Sequence, residues 1–454
     1  MSHSPKTAIR RALLAGGLVY VAGLAAGLVW LHLSPLLVLA LTLGAVGLAA
    51  IVFNPVIAIH VFIMLLFVEK GLTTGGSNVT VMKMVGPFIL LAWLISLAAR
   101  RKAPFESNPL VFVMMLFIIW CGVSVIYAFD ATPALVRFGT LAQLSVATLM
   151  FASVADSPKR IRDVFASLVL WTTLTTAISI GLYYVGISPM VRGIREDRNS
   201  FAIYINVAIV CAYALLRLTP TRGVRLLLTV SLPVLLLGLA LTFSRAGFVV
   251  LLSILLLIAY RTARERRLGV AMALILIMGL VGVLAPGAVW ERMGSILPSV
   301  QYREDTFGIR VNLWELGLEM IHDRPMTGVG AGNFQTASLR YARGDVTIAG
   351  YAAHNSYISV AAETGILGIG LFLAMHLLAI NATRKILSVP SDRNDPLLPV
   401  LASATQYAIL IVMLSALSIS CEGIKHLWIL FGLSLSLGRL HARAAAAATV
   451  NRAV

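Results

Sequence analysis

The chain has 454 residues, of which 59% are apolar and only 12% charged, with a mean hydropathy of +0.91. A soluble domain carries about 25% charged and roughly 45–50% apolar residues, so a string of soluble domains is excluded and a polytopic membrane protein is expected. The net charge of +17, from 36 Lys and Arg against 19 Asp and Glu, has three possible sources: nucleic-acid binding, an anionic substrate, or the topology bias of membrane proteins.

A spanning helix needs about 20 mostly apolar residues. Such runs lie near 12–31, 36–53, 55–68, 84–99, 109–128, 134–155, 164–187, 200–216, 226–243, 247–260, 268–286, 355–381, 398–419 and 424–438. The third and tenth are short, so the pattern predicts an all-α, polytopic membrane helical bundle of twelve to fourteen spans. The N-terminus (Lys6, Arg10, Arg11, then an apolar run) imitates a signal peptide, but apolar segments continue along the chain, and it reads as an uncleaved first span. The expected division is 1–286 as an N-terminal transmembrane bundle, 287–354 as a long external loop with an amphipathic helix, 355–438 as C-terminal transmembrane helices and 439–454 as a cytoplasmic tail. Cys121, Cys211 and Cys421 lie in or beside separate apolar runs, without metal-ligand spacing, and read as packing residues.

Short loops rich in Lys and Arg stay in the cytoplasm. Basic clusters occur at the N-terminus, at 100–102, 159–162, 217–225, 261–267, 384–393 and 439–452, and an even number of apolar segments separates each from the next. All seven can therefore face the cytoplasm, with both termini inside and 287–354 outside. The cytoplasmic loops that carry these clusters hold 22 basic and 6 acidic residues, against 14 and 13 elsewhere. Nearly all of the excess charge is a topology signal, and nucleic-acid binding loses its support.

Charges kept at the outer face are costly and call for an explanation. Arg192, Arg195 and Arg198 lie in one loop between the seventh and eighth spans, as phosphate-binding forks or as a solvated loop paired with Glu196 and Asp197. Arg245, after Thr242-Phe-Ser244, interrupts a long apolar run and must find an anion or snorkel to the interface. In the external loop Val311, Trp314, Leu318 and Ile321 recur at helical spacing, which predicts an amphipathic helix beginning near Arg310, lying on the membrane or on the spans and ended by Pro325. Gly328-Val-Gly330-Ala-Gly332 follows; lacking a preceding strand and a following Lys-Ser/Thr, it reads as a tight turn and not as a nucleotide loop. His354 is placed in the first turn of a spanning helix, with Asn355 or Ser356 as possible caps. There it is either a neutral general base beside a bound anion or a histidine bonded to the headgroup layer. Glu363, nine residues on and about 180° around such a helix, reads as a structural partner. Glu422, Lys425, His426, Lys83 and Arg137 also lie near outer ends of spans. The outer face offers no Asp-X-Asp pair and no metal-ligand His/Cys cluster, which disfavours a divalent-metal mechanism.

Four of these places, Arg192 to Asn206, Ser244-Arg245, Trp314 through Arg324-Pro325 to Phe334, and His354-Asn355-Ser356-Tyr357 with Glu363-Thr-Gly365-Ile-Leu-Gly368, resemble the O-antigen ligase and O-antigen polymerase superfamily of bacterial envelope glycan transferases. The resemblance covers about 190–380. It implies a glycosyltransferase-C-like helical fold and a metal-independent, inverting transfer without cofactors, in the bacterial inner membrane with the active site facing the periplasm. The glycan moves from an undecaprenyl-diphosphate carrier to an acceptor sugar of a lipid A-core or of a growing polysaccharide. Arg245 and one of Arg192, Arg195 and Arg198 would hold the carrier diphosphate, His354 would be the catalytic base, and Asn355, Tyr357, Arg310 and Glu363 would support them. Ligases and polymerases share the signature loop, so the sequence does not decide between them; the ligase is taken first and a repeat-unit polymerase is the alternative. A transporter or flippase for lipid-linked sugar is the reading of another class; it would call for internal repeats and broken helices at the bilayer midplane, whereas the polar residues here collect at one face.

Overall fold

The computed structural model describes residues 55–68, 81–99, 107–193, 197–218, 221–264, 306–344, 348–389 and 397–453. Helices and their connections make up all of it, with no strand among the described residues. Eleven of the fourteen expected segments fall on helices; 12–31, 36–53 and 268–286 lie outside the described residues. The chain divides into two compact units at 104/105. The first contains α1 (Pro55–Val68) and α2 (Val81–Ala99), which pack on each other.

The second unit contains α3 (Pro109–Val123), α4 (Ala131–Val154), α5 (Pro158–Tyr184), α6 (Arg198–Arg217), α7 (Arg222–Leu241) and α8 (Arg245–Arg264). It continues with α9 (Thr306–Asp323), α10 (Phe334–Tyr341), α11 (Ser356–Ser388), α12 (Leu397–Ser415) and α13 (Lys425–Ala453). The segment expected as a tail from 439 is the helical continuation of α13. Among the described residues seven helices are long and apolar enough to cross a membrane. The chain is a polytopic helical membrane protein.

Many helices begin where the sequence supplies a cap. Asn108, Asp130, Ser157, Asp197 and Asn355 each accept a hydrogen bond from a backbone N–H in the first turn of the helix that follows, satisfying donors that have no partner inside the helix. The C-terminal helices return into the bundle: α13 packs along α4, α11 along α3, and α12 along α6. Cys121, Cys211 and Cys421 are free thiols buried in this packing.

The two ends of the bundle differ. At one end basic side chains meet carbonyls and polar groups: Arg439 donates to the Ala152 carbonyl, Arg160 to Asp156 at 2.6 Å, and Arg261 to Gln406 Oε1 at 2.9 Å. At the other end Ser356 is bonded to the connection 416–421, and the connection 127–130 is bonded to 327–333 of the external segment. That segment has its own core of Leu313, Leu316, Met320, Val329, Phe334 and Ala353.

The buried stripe of α9 departs from expectation. Leu313, Leu316 and Met320 face inward, while Leu318 is 57% exposed and Val311, Trp314 and Ile321 are half-buried. Two apolar stripes overlap on this helix, and sequence spacing does not rank them. Packing does, because Gly317 lets the Leu313–Met320 side approach closely: a Cβ there would lie 2.4 Å from Ile358 of α11. The helix thus packs on the start of α11.

Candidate functional site

The long helix α11 is broken at Gly365, where φ is 67° and ψ −169°, a conformation open in practice only to glycine. A break inside a helix orphans backbone groups, and each buried one needs a partner. The carbonyls of Ala362 and Glu363 accept from Val329 N–H and Gly330 N–H, each at 2.9 Å. The Thr364 carbonyl accepts from the Trp120 indole at 2.8 Å, and Ile366 N–H donates to the Pro325 carbonyl at 2.8 Å. The glycine loop therefore fits against the broken backbone: a Cβ on Gly328 would sit 2.4 Å from the carbonyl carbon of Glu363. Its role is a tight turn, and its N–H groups are spent on protein.

Glu363 completes the clamp. Its carboxylate is buried and accepts from Gly332 N–H at 2.7 Å and Phe334 N–H at 3.1 Å. Arg137 of α4 provides the nearest opposite charge, and it also pairs with the buried Glu422 at 3.5 Å. Four segments are tied together here, so Glu363 holds the loop and does not face His354. The 180° estimate assumed both residues on one helix, and that assumption fails.

His354 is not in the first turn of α11. It precedes the cap residue Asn355, whose Oδ1 accepts from Tyr357 N–H and Ile358 N–H at 3.0 and 3.2 Å, and its own φ is 49°. Left-handed backbone at a non-glycine residue is uncommon and strained, and here it turns the chain out of the external segment into the bundle. Two bonds hold the turn: the Trp314 indole donates to the Ala353 carbonyl at 3.0 Å, and Ser356 N–H donates to the Ala416 carbonyl at 2.8 Å. The Tyr357 hydroxyl is spent on the Met413 carbonyl of α12 at 2.8 Å, so Tyr357 supports the helix start and leaves chemistry to others.

Arg245 occupies the first position of α8, behind a second strained residue, Phe243, with φ 52°. Ser244 caps the helix by accepting from Gly247 N–H at 3.2 Å, while its hydroxyl donates to Asn199 Oδ1 at 2.8 Å. Deeper in α6, Asn206 Nδ2 donates to the Gly247 carbonyl at 3.0 Å. Gly247 permits this contact, since a Cβ there would meet Ala202 at 2.7 Å. Two asparagines of α6 thus fix the start of α8, and the N-termini of α6 and α8 lie side by side. Arg198 is the first residue of α6 as Arg245 is of α8. Each cation stands at the positive end of a helix, where anions bind.

The external helix adds a third cation. Arg310 is half-buried, and its Nε is buried without a hydrogen-bond partner among the described residues. Burial, and then the charges of Arg245 and Arg198, disfavour its ionised form, while Asp197 favours it. His354 neighbours Arg310 and shares Asp197 with it: burial and then Arg310 push its pKa below the usual histidine value, and Asp197 opposes them. Arg198, Arg245, Arg310, Asp197 and His354 therefore converge at one end of the bundle. Arg192 is exposed; its backbone N–H donates to Ser179 Oγ at 3.2 Å, and its charge is absent from those acting on Arg310 and His354. Arg195 lies outside the described residues, as does the side chain of Lys83. His426, in the first turn of α13, stacks on Tyr204 of α6 with ring centroids 3.9 Å apart.

Sequence reading named Asp197 only as a pairing partner of the loop arginines and missed its place as a helix cap, although an Asp directly before a helical run is a cap signal. It also missed the positioning work of Asn199 and Asn206, for which the only trace is a polar residue within an apolar segment. Among curated proteins none matches the chain. Residues 230–373 match the family model for O-antigen ligase, a stretch that runs from α7 into α11 and takes in Arg245, Arg310, the glycine loop, His354 and Glu363, but neither Asp197 nor Arg198. This part of the chain is similar to the O-antigen ligase family, whose work is glycan transfer in envelope polysaccharide synthesis.

Proposed function

We propose that the protein is a metal-independent, inverting membrane glycosyltransferase that moves a glycan from an undecaprenyl-diphosphate carrier to an acceptor sugar at the periplasmic face. The observation that carries this reading is the convergence of three arginines from three separate helices beside one histidine of lowered basicity. The arginines oppose one another's charge, and a bound diphosphate would relieve that repulsion. Charge grows on the diphosphate as the glycosidic bond breaks, and fixed guanidinium groups aimed at it stabilise the transition state more than the ground state. His354, neutral at physiological pH, takes the proton of the acceptor hydroxyl as that oxygen attacks the anomeric carbon. Of the three arginines in the 192–198 loop, Arg198 is the proposed diphosphate ligand. Asn199, Asn206 and Ser244 act as positioning residues for Arg245.

The direct test uses purified protein, a lipid-linked glycan donor and a lipid A-core acceptor. His354→Ala and Arg245→Ala should each abolish product while leaving yield and elution profile unchanged. Wild-type turnover by the His354 variant defeats the assignment of the base, and transfer lost on chelation defeats the metal-independent part. Chain growth on lipid-linked repeats alone, without acceptor, assigns the polymerase reaction instead of the ligase reaction.

A further inference from the structure

A second cationic feature lies on the external segment, away from the site described above. Arg324, just past the end of α9, and Arg340 of α10 both stack on the ring of Phe129, with guanidinium carbons 4.6 and 4.8 Å from its centroid. Phe129 in turn stacks on Tyr341, with ring centroids 6.3 Å apart and planes 20° from parallel. The platform is rigid because the 127–130 connection is sewn to the glycine loop. Phe129 N–H donates to the Val329 carbonyl at 3.0 Å, and Asp130 N–H donates to Asn333 Oδ1 at 2.8 Å.

Neither guanidinium has an ion-pair partner among the described residues. The carboxylates nearby are engaged elsewhere: Asp130 caps α4 through Thr132 N–H, Asp323 accepts from the Tyr341 hydroxyl, and Glu319 pairs with Arg343 at 3.8 Å. Arg340 is exposed, and Arg324 and Phe129 are half-buried. Two like charges on one ring repel each other, so the arrangement costs stability unless an anion answers it. Stacking leaves the N–H edges of a guanidinium open, the geometry that reads carboxylate and phosphate oxygens in a fork, while flat aromatic faces suit the C–H face of a sugar ring.

We propose that Phe129, Arg324, Arg340 and Tyr341 form a glycan subsite for an acidic sugar, one bearing a carboxylate or a phosphate. The subsite rests on the glycan-transfer reading of the protein and deepens it. Fourteen residues separate Arg310 from Arg324, which along a helix is about 20 Å. A glycan held at the arginine–histidine centre and running along α9 reaches the platform after a few sugar rings. The subsite would therefore select glycans carrying acidic units at a set distance from the reacting end and leave the chemistry to His354.

The test measures binding of a carboxylate-bearing oligogalacturonate and of neutral maltotetraose to the full chain in detergent, by calorimetry. Oligogalacturonate should bind, more weakly as salt rises, and maltotetraose should not. Arg324→Gln and Arg340→Gln should each weaken binding about tenfold, as expected for loss of one charge-assisted pair. Phe129→Leu, which keeps both charges, should weaken it as well; if that variant fails to fold, exposed Arg340 still decides the matter. Equal binding of acidic and neutral sugars, or unchanged binding in both arginine variants, overturns the subsite. So does attraction of the segment to phosphatidylglycerol vesicles without saccharide binding, which would make it a lipid contact. His354→Ala should bind oligogalacturonate as the wild type does. Intact binding with no transfer by the wild type counts against the transferase reading alone, and intact transfer with no acidic-sugar binding counts against the subsite alone.

Discussion

Arg310→Met separates binding chemistry from structural support. The Arg310 guanidinium is half-buried, its Nε has no hydrogen-bond partner among the described residues, and Arg245 and Arg198 oppose its charge. An unsatisfied buried donor costs about 1–3 kcal/mol. Methionine has a similar length and no charge, so its introduction removes that cost and the repulsion, while the attraction to Asp197 is lost. The net expectation is a gain of about 1 kcal/mol, read as a rise in Tm of about 1–3 °C in a detergent-solubilised thermal melt. Activity should move the other way. An electrostatic donor fixed on developing charge is worth about 100- to 1,000-fold in rate, so kcat/KM for glycan transfer should fall by that order. Gaining stability while losing activity is the signature of a site that stores strain for its ligand. A melting temperature lowered by several degrees would refute the reasoning, because Arg310 would then be a structural ion-pair member. Unchanged transfer would refute it from the other side.

The acid limb of kcat/KM should titrate below pH 6.5, since burial and Arg310 lower the pKa of His354. A base works only when unprotonated, so activity is full above that pKa and disappears as pH falls through it. Bound diphosphate favours the imidazolium, so the corresponding limb of kcat should lie at higher pH; a kcat/KM midpoint above 7 contradicts the assignment. Glu363→Ala leaves the N–H groups of Gly332 and Phe334 unpaired and should cost about 3 kcal/mol or more. Trypsin cleavage in 324–344 should then outpace cleavage elsewhere, and protection equal to wild type rules out the clamp. Gly365→Ala places a Cβ 2.3 Å from the Met326 carbonyl oxygen at a left-handed φ, a strain of about 1–3 kcal/mol before the clash. It should yield a polydisperse protein by size-exclusion chromatography, and a monodisperse, active variant would show that the break is dispensable.

Much of the molecule was legible in the sequence because the bilayer leaves few choices. Backbone in hydrocarbon must satisfy itself, so apolar runs become helices, and Asn355, one of the two expected caps, marks where α11 starts. Arg245, Arg310 and His354 stood out because charge and polarity are rare against an apolar background. Only the tertiary structure decided how they act together. The 180° estimate for Glu363 and the placement of His354 in a first turn both assumed a helix running through position 354, whereas the helix starts at Ser356. The chain instead breaks at Gly365 and turns out at His354, where partners from α9, α12 and the glycine loop take up the freed backbone groups. The choice between the two stripes of α9 likewise belongs to Ile358 and Phe334, which contact Gly317 from distant positions in the chain. Local pattern sets which residues are apolar, polar or capping, because those properties reside in the side chain and its neighbours. The convergence of Arg198, Arg245, Arg310 and His354 depends on long-range packing, which brings positions far apart in the chain to one end of the bundle.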